Sequence, residues 1–392
     1  MRSEVDGTER IYLDHNATTP MDPAVLTAME PYLRALFGNP SSSETVEGSV
    51  AAAAVERARE QVAATIGARP NEIVFTGSCT EADNIAILGA ARANPGRRHL
   101  IGSRIEHPAV LGPMRALERD GWRLTLLDVD ADGVVSPEAV AAAIGPETGL
   151  VSIMGANNEV GSLQPIRRIG EICTERGVLF HSDLAQSAAY VDVDVERDGL
   201  HLASLSAHKA YGPKGVGALY IRSRRPRVRI EPIMFGGGQE RGLRPGTIAT
   251  PLVVGMGEAF EIASRTRRAE VGRLRTLCER FKIRLQSSLD GVLLNGHAVD
   301  RLPNNLSFSI EGVEPYALIR QLGDRCAFSA SSACGSARVE TSHVLIAMFG
   351  DGSRARGAFR IAPGRFTTDA DAAIVAEGMI DAVGLLREAS HT

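Results

Sequence analysis

The sequence lacks any excess of positive charge. Its 392 residues include 43 lysines and arginines against 47 aspartates and glutamates, which gives a formal net charge of −4. No global basic field is therefore available to hold nucleic acid or an anionic membrane surface. The locally basic stretch RSRRPRVR at 222–229 is better explained as a solvated loop. We expect no direct binding of nucleic acid.

Long hydrophobic runs are also missing. Hydrophobic residues make up 44% of the chain and charged residues 23%, an ordinary balance for a globular protein. No apolar run approaches the length of a membrane span, and the first residues, MRSEVDGTERIYLD, lack the apolar centre of a signal peptide. We therefore expect no membrane association and a cytoplasmic location.

Paired cysteines are absent as well. The five cysteines are spread widely and none forms a CxxC pair, so neither a zinc site nor a disulfide framework is expected. An odd number of cysteines leaves room for one reactive thiol. Cys79, Cys173, Cys278 and Cys326 occur in strand or helix patterns, which predicts small core residues.

The remaining cysteine, Cys334, lies in a run of small residues, SASSACGSARVETSHVL at 329–345. Serine, alanine and glycine lack the bulk to bury a thiol in a core. An exposed thiol on such a loop is a candidate nucleophile. The alternative is an incidental surface cysteine.

Strands alternate with helices over much of the chain. EIVFTGS at 72–78 is typical of a buried strand, TEADNIAILGAARA at 80–93 is typical of a helix, and the alternation continues to GVGALYIR at 215–222. Strands separated by helices of this length predict βαβ units. We expect an α/β fold with a mostly parallel sheet and helices on both faces.

The end of the chain has a different pattern. Residues 251–288 show helical periodicity over their whole length, and short strands and helices follow. The length of the chain allows two domains. We predict a large domain over 15–260 and a smaller α+β domain formed by 1–14 and 261–392.

Polar stretches follow several of the strands, and ligands of open parallel sheets bind at such strand ends. In TGSCTEADN at 76–84, backbone N–H groups and the Thr80 hydroxyl could cradle a phosphate, with simple helix capping as the alternative. In HSDLAQ, Asp183 should be buried and need a partner, for which a protonated ring nitrogen would serve. Gln186 could reach the same ring. The alternative for Asp183 is a structural role in capping a turn.

Two further stretches carry groups that move protons or form covalent bonds. His107, in IEHPAV, could stack on a planar cofactor and transfer protons, or it could cap a helix. SLSAHKAYGPKG at 204–215 brings Ser206, His208 and Lys209 to a strand end, the setting of lysines that hold carbonyl cofactors. A lysine in a loop is more often a solvated surface charge, so Lys209 gains weight only from cofactor groups around it.

A shared family pattern runs nearly from end to end of the chain, in the stretches YLDHNATTPMDP (12–23), FGNPSS (37–42), TGSCTEADN, EH (106–107), NNEVGSLQPI (157–166), HSDLAQS, SLSAHKAYGPKGVGALYIR, GGGQERGLRPGT (236–247), SACGSA (332–337) and FRIAPGRFTT (359–368). Together they resemble the cysteine desulfurases, which are pyridoxal 5'-phosphate (PLP) enzymes of the class V aminotransferase group. The long loop before Ser342 is similar to that of members with a mobile cysteine loop. The resemblance implies fold type I, with a mostly parallel seven-stranded sheet flanked by helices. It places the cysteine loop at about 329–341.

The resemblance also implies roles for particular residues. Those expected to hold PLP are Lys209 covalently, Asp183 at the ring nitrogen, Gln186 at the ring hydroxyl, His107 stacked on the ring, and Thr80, Ser206 and His208 at the phosphate. Thr247 would reach the phosphate in the neighbouring subunit, which implies a homodimer. Asn158 would lie beside the ring and the substrate, Arg360 would bind the substrate carboxylate, and Cys334 would take the sulfur.

The implied activity is conversion of L-cysteine to L-alanine, with a persulfide on Cys334 and sulfur transfer to an acceptor or scaffold protein. Iron–sulfur cluster assembly, tRNA thiolation and DNA phosphorothioation all remain open as destinations. A PLP-dependent C–S lyase acting on a cysteine conjugate is the alternative, and it would need no catalytic thiol. A non-enzymatic scaffold that has kept the fold is a third possibility.

The chain departs from the family pattern outside the inferred PLP contacts. Glu44 and Thr45 follow FGNPSS where many relatives have a histidine, and Gln239 replaces the usual histidine of GGGHERG. Gly335 follows the cysteine where serine or threonine is frequent, and Pro363 interrupts the usual Ser-Leu-Gly. These departures bear on which sulfur acceptor the chain serves, because acceptors dock outside the pocket.

Overall fold

The computed structural model describes residues 3–5, 7–330 and 341–390. The strands are β1 Ser3–Val5, β2 Thr8–Tyr12, β3 Ile73–Thr76, β4 His99–Ser103, β5 Arg123–Leu127, β6 Thr148–Ser152, β7 Leu179–Asp183, β8 Leu202–Ser206, β9 Gly217–Ile221, β10 Val292–Asn295, β11 Leu306–Ile310, β12 Cys326–Ala327, β13 Ser329–Ala330 and β14 Ala358–Ile361. The helices are α1 Pro23–Arg34, α2 Val46–Thr65, α3 Cys79–Ala93, α4 Pro108–Arg119, α5 Pro137–Ala143, α6 Ile166–Arg176, α7 Thr250–Ser288, α8 Pro315–Leu322, α9 His343–Phe349, α10 Ser353–Arg356 and α11 Asp369–Ser390. Short 3-10 helices cover Pro70–Glu72, Ala207–Lys209 and Gln239–Gly242.

The largest sheet has seven strands in the order β3-β9-β8-β7-β6-β4-β5. Strand β9 runs antiparallel to both of its neighbours, and the other pairings are parallel. The predicted α/β fold with a mostly parallel seven-stranded sheet is therefore confirmed. The carboxyl ends of the parallel strands share one edge, where the candidate site lies.

Helices cover both faces of this sheet, as its sequence pattern predicts. Every residue of β4, β6, β8 and β9 is buried. Along β4, Leu100 belongs to an apolar cluster with Val110 of α4, whereas Ile101 belongs to a cluster with Ile169 of α6. Successive side chains point to opposite faces of a strand, so a strand covered on both sides is apolar throughout.

The predicted long helix is also confirmed, as α7, and it contributes to two cores. Phe260 packs in the core of the large sheet, whereas Phe281 packs in a second core with Phe308 of β11 and Met379 of α11. Beside this second core lie a four-stranded sheet of order β10-β11-β14-β13 and a three-stranded sheet of order β1-β2-β12. The domain limits near residues 14 and 260 remain predictions.

The structure corrects one boundary of the cysteine loop. Ser329–Ala330, at the start of the range 329–341, forms strand β13 and pairs antiparallel with β14, where Ser329 lies opposite Arg360. The sequence pattern also did not reveal α8 or β10, which are short elements of eight and four residues. Cys334 itself lies outside the described residues.

A buried ion pair fastens the segment after the sheet to its edge strand. Two nitrogens of Arg59 in α2 donate to the two carboxylate oxygens of Glu240, and each donor–acceptor distance is 2.8 Å. Glu240 also accepts a hydrogen bond from the backbone N–H of Phe75 in β3 at 2.8 Å. Removing one partner of such a pair costs about 3–5 kcal/mol, because the other charge is left buried alone. This contact fixes the 236–247 segment against the sheet.

Within the described ranges, no helix combines the length and the apolar character needed to cross a membrane.

Candidate active site

A cavity of about 440 Å³ lies at the carboxyl edge of the large sheet. Its walls come from the ends of β7 and β8, the starts of α3 and α4, the turn after β2, and strands β13 and β14 of the four-stranded sheet. The predicted site residues that line it are Thr80, His107, Asn158, Asp183, Gln186, Ser206, His208, Lys209 and Arg360. The fold thus brings together residues that are far apart in the sequence.

The lysine occupies the end of β8. A buried strand runs directly into the 3-10 helix Ala207–Lys209, which turns the Lys209 side chain towards the cavity. Its Nζ donates to the carbonyl oxygens of Asn16 and Ala17, at 2.6 and 2.7 Å. Burial, and next the positive charge of Arg360, lower the pKa of Lys209 to about 8. A lysine in this state readily offers a neutral amine near physiological pH.

The carboxylate of Asp183 lies at the end of β7. Its Oδ1 accepts from the backbone N–H of Ala185 at 2.9 Å and from the Cys79 thiol at 3.5 Å. The first contact is the turn cap that the sequence offered as an alternative, so Asp183 both caps the turn and lines the cavity. Within the described part of the chain no hydrogen bond to Oδ2 is found. That oxygen is free to bind a ligand.

Gln186 holds the turn that follows β2. Its Nε2 donates to the Asn16 carbonyl at 2.9 Å, and its Oε1 accepts from the Asn16 side chain at 3.2 Å. Asn16 in turn accepts a hydrogen bond from Asn305 at 2.8 Å. Gln186 lines the cavity, but part of its hydrogen-bonding capacity already positions the carbonyl that Lys209 contacts.

His107 is the N-cap of α4. Its Nδ1 accepts a hydrogen bond from the backbone N–H of Ala109 at 3.1 Å, so the imidazole proton is assigned to Nε2. Burial, the largest cause, lowers the pKa of His107, which favours the neutral ring. His107 therefore caps α4 and also lines the cavity, and its stacking on a cofactor stays a prediction.

The start of α3 and the turn after β8 form the polar end of the cavity. Ser78 caps α3 by accepting from the Glu81 N–H at 3.1 Å, and Thr80 lies exposed in the first turn. His208 is held by Thr18, its Nδ1 lying 3.0 Å from the hydroxyl oxygen. A helix N-terminus with hydroxyl and imidazole groups beside it suits an anion such as phosphate. Capping and phosphate binding are again compatible.

Arg360, on β14, is already partly paired. It donates to Asp14 at 2.6 Å and to the backbone carbonyl of Asn158 at 2.8 Å. Its Nε is buried and has no hydrogen-bond partner among the described residues. A guanidinium with spare donor capacity at the cavity wall can still bind a carboxylate.

The structure does not place every predicted residue in the cavity. Thr247 is exposed and is not part of the cavity wall of its own chain. Cys334 lies outside the described residues.

The assignment of Cys79 to the core is wrong. It is the first residue of α3, it is only partly buried, and it lines the cavity. Its position directly after a strand end, between Ser78 and Thr80, was the signal that could have revealed this. Cys173, Cys278 and Cys326 are buried, as predicted. Asp14, Asn16 and Glu159 also line the cavity and were not predicted.

These groups fit PLP. The free Oδ2 of Asp183 suits a protonated ring nitrogen, the α3 N-terminus suits a phosphate, and the Lys209 amine has the lowered pKa that binding a carbonyl group requires. The three features line one cavity.

Comparisons with known proteins agree with this assessment. The Aminotransferase class-V family matches residues 11–373. A cysteine desulfurase IscS of Azotobacter vinelandii is 49% identical over 383 residues, covering 97% of this chain and 94% of that protein. A solved structure described as a NifS-like protein has a TM-score of 0.89 at 35% identity, covering 96% of this chain and 100% of that one. A structure of SspA in complex with cysteine has a TM-score of 0.80 at 36% identity, covering 91% and 100%.

The fold and the cavity define a PLP-dependent enzyme of the class-V aminotransferase family, to which the chain belongs. The relatives that match nearly the whole chain are cysteine desulfurases, and within this family the chain is a cysteine desulfurase. The C–S lyase that the sequence left open is not favoured.

The lowered pKa of Lys209 is directly measurable. Lys209, Lys214 and Lys282 are the only lysines in the sequence, so the ¹³C resonances of a reductively methylated, cofactor-free sample are simple to assign with Lys209→Ala. We expect the Lys209 resonance to titrate with a midpoint of about 8. Below that pH the amine is protonated, and above it the neutral form dominates. Arg360→Gln should move the midpoint upward, because it removes a positive charge near the amine. A midpoint at the ordinary lysine value, about 10.5, would contradict the burial argument.

Proposed function

We propose that the cavity residues share the work of desulfurating L-cysteine, with Lys209 handling the substrate proton and Cys334 receiving the sulfur. The observation that carries this proposal is the convergence of Lys209, Asp183 and His107 on one cavity. A solvated surface lysine would not be held by two backbone carbonyls beside a buried carboxylate.

The residues proposed to hold the cofactor line the cavity, except Thr247. Lys209 would bind PLP covalently, Oδ2 of Asp183 would pair with the ring nitrogen, Gln186 would bond the ring hydroxyl, and His107 would stack on the ring. The α3 N-terminus with Thr80, Ser206 and His208 would hold the phosphate, together with Thr247 of a second subunit. When bound, PLP supplies an electron sink for the bond electrons released at the substrate Cα.

Arg360 and Asn158 position the substrate in this proposal. The place of Arg360 on the cavity wall supports a role in binding the substrate carboxylate. Asn158 lines the same cavity and is fixed through its carbonyl oxygen, which accepts from Arg360 at 2.8 Å. A carboxylate held there keeps the substrate Cα within reach of the Lys209 amine.

Proton transfer then depends on the Lys209 amine and the neutral His107 ring. The Lys209 amine removes the Cα proton, and its pKa of about 8 makes the neutral form accessible. His107 keeps a proton on Nε2 and can exchange it with the substrate. The Cys334 thiolate forms a bond to the substrate sulfur while the Cβ–S bond breaks. The electron pair stays on Cβ, which takes up a proton. Lys209 then returns a proton to Cα, and L-alanine leaves.

We also propose that two copies of the chain form the working enzyme. Thr247 is exposed on the segment that begins beside Phe235, whose side chain is 83% exposed. The buried Arg59–Glu240 pair holds this segment rigidly against the sheet. An exposed phenylalanine on a fixed segment is well suited to burial in a second copy.

The sulfur leaves the enzyme, in this proposal, by transfer to an acceptor or scaffold protein. Its pathway, whether iron–sulfur cluster assembly, tRNA thiolation or DNA phosphorothioation, depends on that acceptor. Transfer of ³⁵S from L-cysteine to a co-purified protein would identify the acceptor. Retention of all the label on the enzyme in cell extract would contradict the transfer step.

The role of Cys334 is tested by Cys334→Ala. We expect alanine formation from L-cysteine to fall at least about 100-fold, since the nucleophile is missing, and the enzyme-bound persulfide to disappear in intact-mass spectra. Cys173→Ala, which changes a buried cysteine elsewhere, is the matched control and should keep both signals. If Cys334→Ala still forms and transfers persulfide, another thiol takes the sulfur. Turnover of S-methylcysteine in preference to L-cysteine would instead favour a lyase.

The dimer is tested by Phe235→Asp. A charge placed at this exposed position should shift the protein towards monomer in sedimentation velocity, because it disfavours burial in a second copy. Retained PLP should fall along with the dimer, since the phosphate loses Thr247. Leu385→Asp, at a 55% exposed leucine on α11, is the control and should remain dimeric. A wild-type monomer, or an unchanged Phe235→Asp dimer, would refute this arrangement.

A further inference from the structure

Three protonatable groups meet at one end of the cavity. Ligand atoms of Cys79, Asp83 and Asp183 all lie within 4.8 Å of one another. Asp83 is fully buried, and neither of its carboxyl oxygens has a hydrogen-bond partner among the described residues. Three negative charges cannot coexist at this spacing without cations to compensate them. The cluster therefore has to keep most of its protons.

The surroundings of the two carboxyl groups differ. Oδ1 of Asp183 accepts a backbone hydrogen bond from Ala185, whereas neither oxygen of Asp83 has a hydrogen-bond partner among the described residues. The basic side chain that faces Asp83 is the buried His181, with Nε2 at 3.5 Å from Oδ1, and the Ser204 hydroxyl acts to lower the pKa of Asp83. Burial lowers the pKa of His181 to about 3, so that ring is neutral and cannot compensate a negative charge. Burial, and next the charge of Asp183, raise the pKa of Asp83 well above its usual range.

The same reasoning keeps Cys79 protonated. Burial is the largest cause that raises the pKa of its thiol, and the charge of Asp183 adds to it, whereas Lys209 acts in the opposite direction. A protonated thiol is a poor nucleophile, so Cys79 does not compete with Cys334 for sulfur. It is instead a hydrogen-bond donor, and the acceptor it faces is Oδ1 of Asp183 at 3.5 Å.

We propose that Cys79 is a positioning residue whose thiol, together with the Ala185 N–H, occupies Oδ1 of Asp183 and so presents Oδ2 to the cofactor ring nitrogen. The two donors approach from different elements, Cys79 from the start of α3 and Ala185 from the turn after β7. Together they restrict rotation of the carboxylate. A thiol is a weak donor, so it orients Asp183 while withdrawing little of the charge that the ring nitrogen needs.

This inference rests on the proposed contact between Asp183 and the ring nitrogen, and the experiment separates the two. The holoenzyme is dialysed against a series of PLP concentrations, and bound PLP is measured for each variant. Asp183→Asn is the reference for complete loss of the proposed contact with the ring nitrogen. We expect it to weaken PLP binding at least about 100-fold, because a charged partner is lost. Cys79→Ala should weaken it about threefold to tenfold, in line with one hydrogen bond.

Two further variants distinguish positioning from a general packing effect. Cys79→Ser keeps a donor of similar size, so PLP binding should stay within about twofold of wild type. The double variant Cys79→Ala/Asp183→Asn should bind PLP no more weakly than Asp183→Asn alone, because the thiol acts only through the carboxylate. Cys173→Ala is the matched control and should leave PLP binding unchanged.

Each outcome has a distinct meaning. Wild-type affinity in Asp183→Asn would overturn the proposed cofactor contact itself. Weak binding in Asp183→Asn together with wild-type binding in Cys79→Ala would overturn only the role of Cys79. Additive losses in the double variant, or a loss in Cys79→Ser as large as in Cys79→Ala, would show that Cys79 acts through packing, and would equally overturn its role.

Discussion

The site depends on one constraint: a lysine inside a polar cavity must have a pKa low enough to give up its proton readily. Lys209 donates hydrogen bonds to the carbonyl oxygens of Asn16 and Ala17, and the positive charge of Arg360 repels its protonated form. The lowered pKa follows from burial first and from that charge second. Both require the turn after β2 to remain in place, and Gln186 and Asn305 hold it there. Residues near the chain's start therefore set the reactivity of a residue at the end of β8.

The same cavity limits its own negative charge. Asp83, Glu106 and Glu159 are all buried near it, and burial raises the pKa of each, to about 8 for Glu106 and about 7 for Glu159. Protonated carboxyl groups do not repel a phosphate or a substrate carboxylate. The positive groups, Arg360 and the α3 N-terminus, can then attract both anions. A cavity that must bind two anions benefits from carboxyl groups that keep their protons.

Much of this arrangement could be predicted from the sequence, because the ends of parallel strands must share one edge. That rule predicts that Asp183, His107 and Lys209 lie close together. The capping roles that the sequence offered as alternatives are compatible with a place in the cavity, because His107 caps α4 and also lines the cavity. Contacts between distant parts of the chain could not be predicted from local pattern, and the pairing of Arg360 with Asp14 is one example. The sequence pattern did not reveal Cys79 as a cavity residue, because a small residue that follows a strand suits a hydrophobic core and a cavity wall equally well.

The central claim is that Lys209 anchors the cofactor, and reductive trapping tests it most directly. Treatment of the holoenzyme with borohydride fixes bound PLP to its lysine, and peptide mass spectrometry then locates the pyridoxyl group. Because the sequence contains only Lys209, Lys214 and Lys282, the three possible sites are easily separated. The account predicts the group on Lys209 alone. Finding it on Lys214 or Lys282, or on none of the three, would contradict the account.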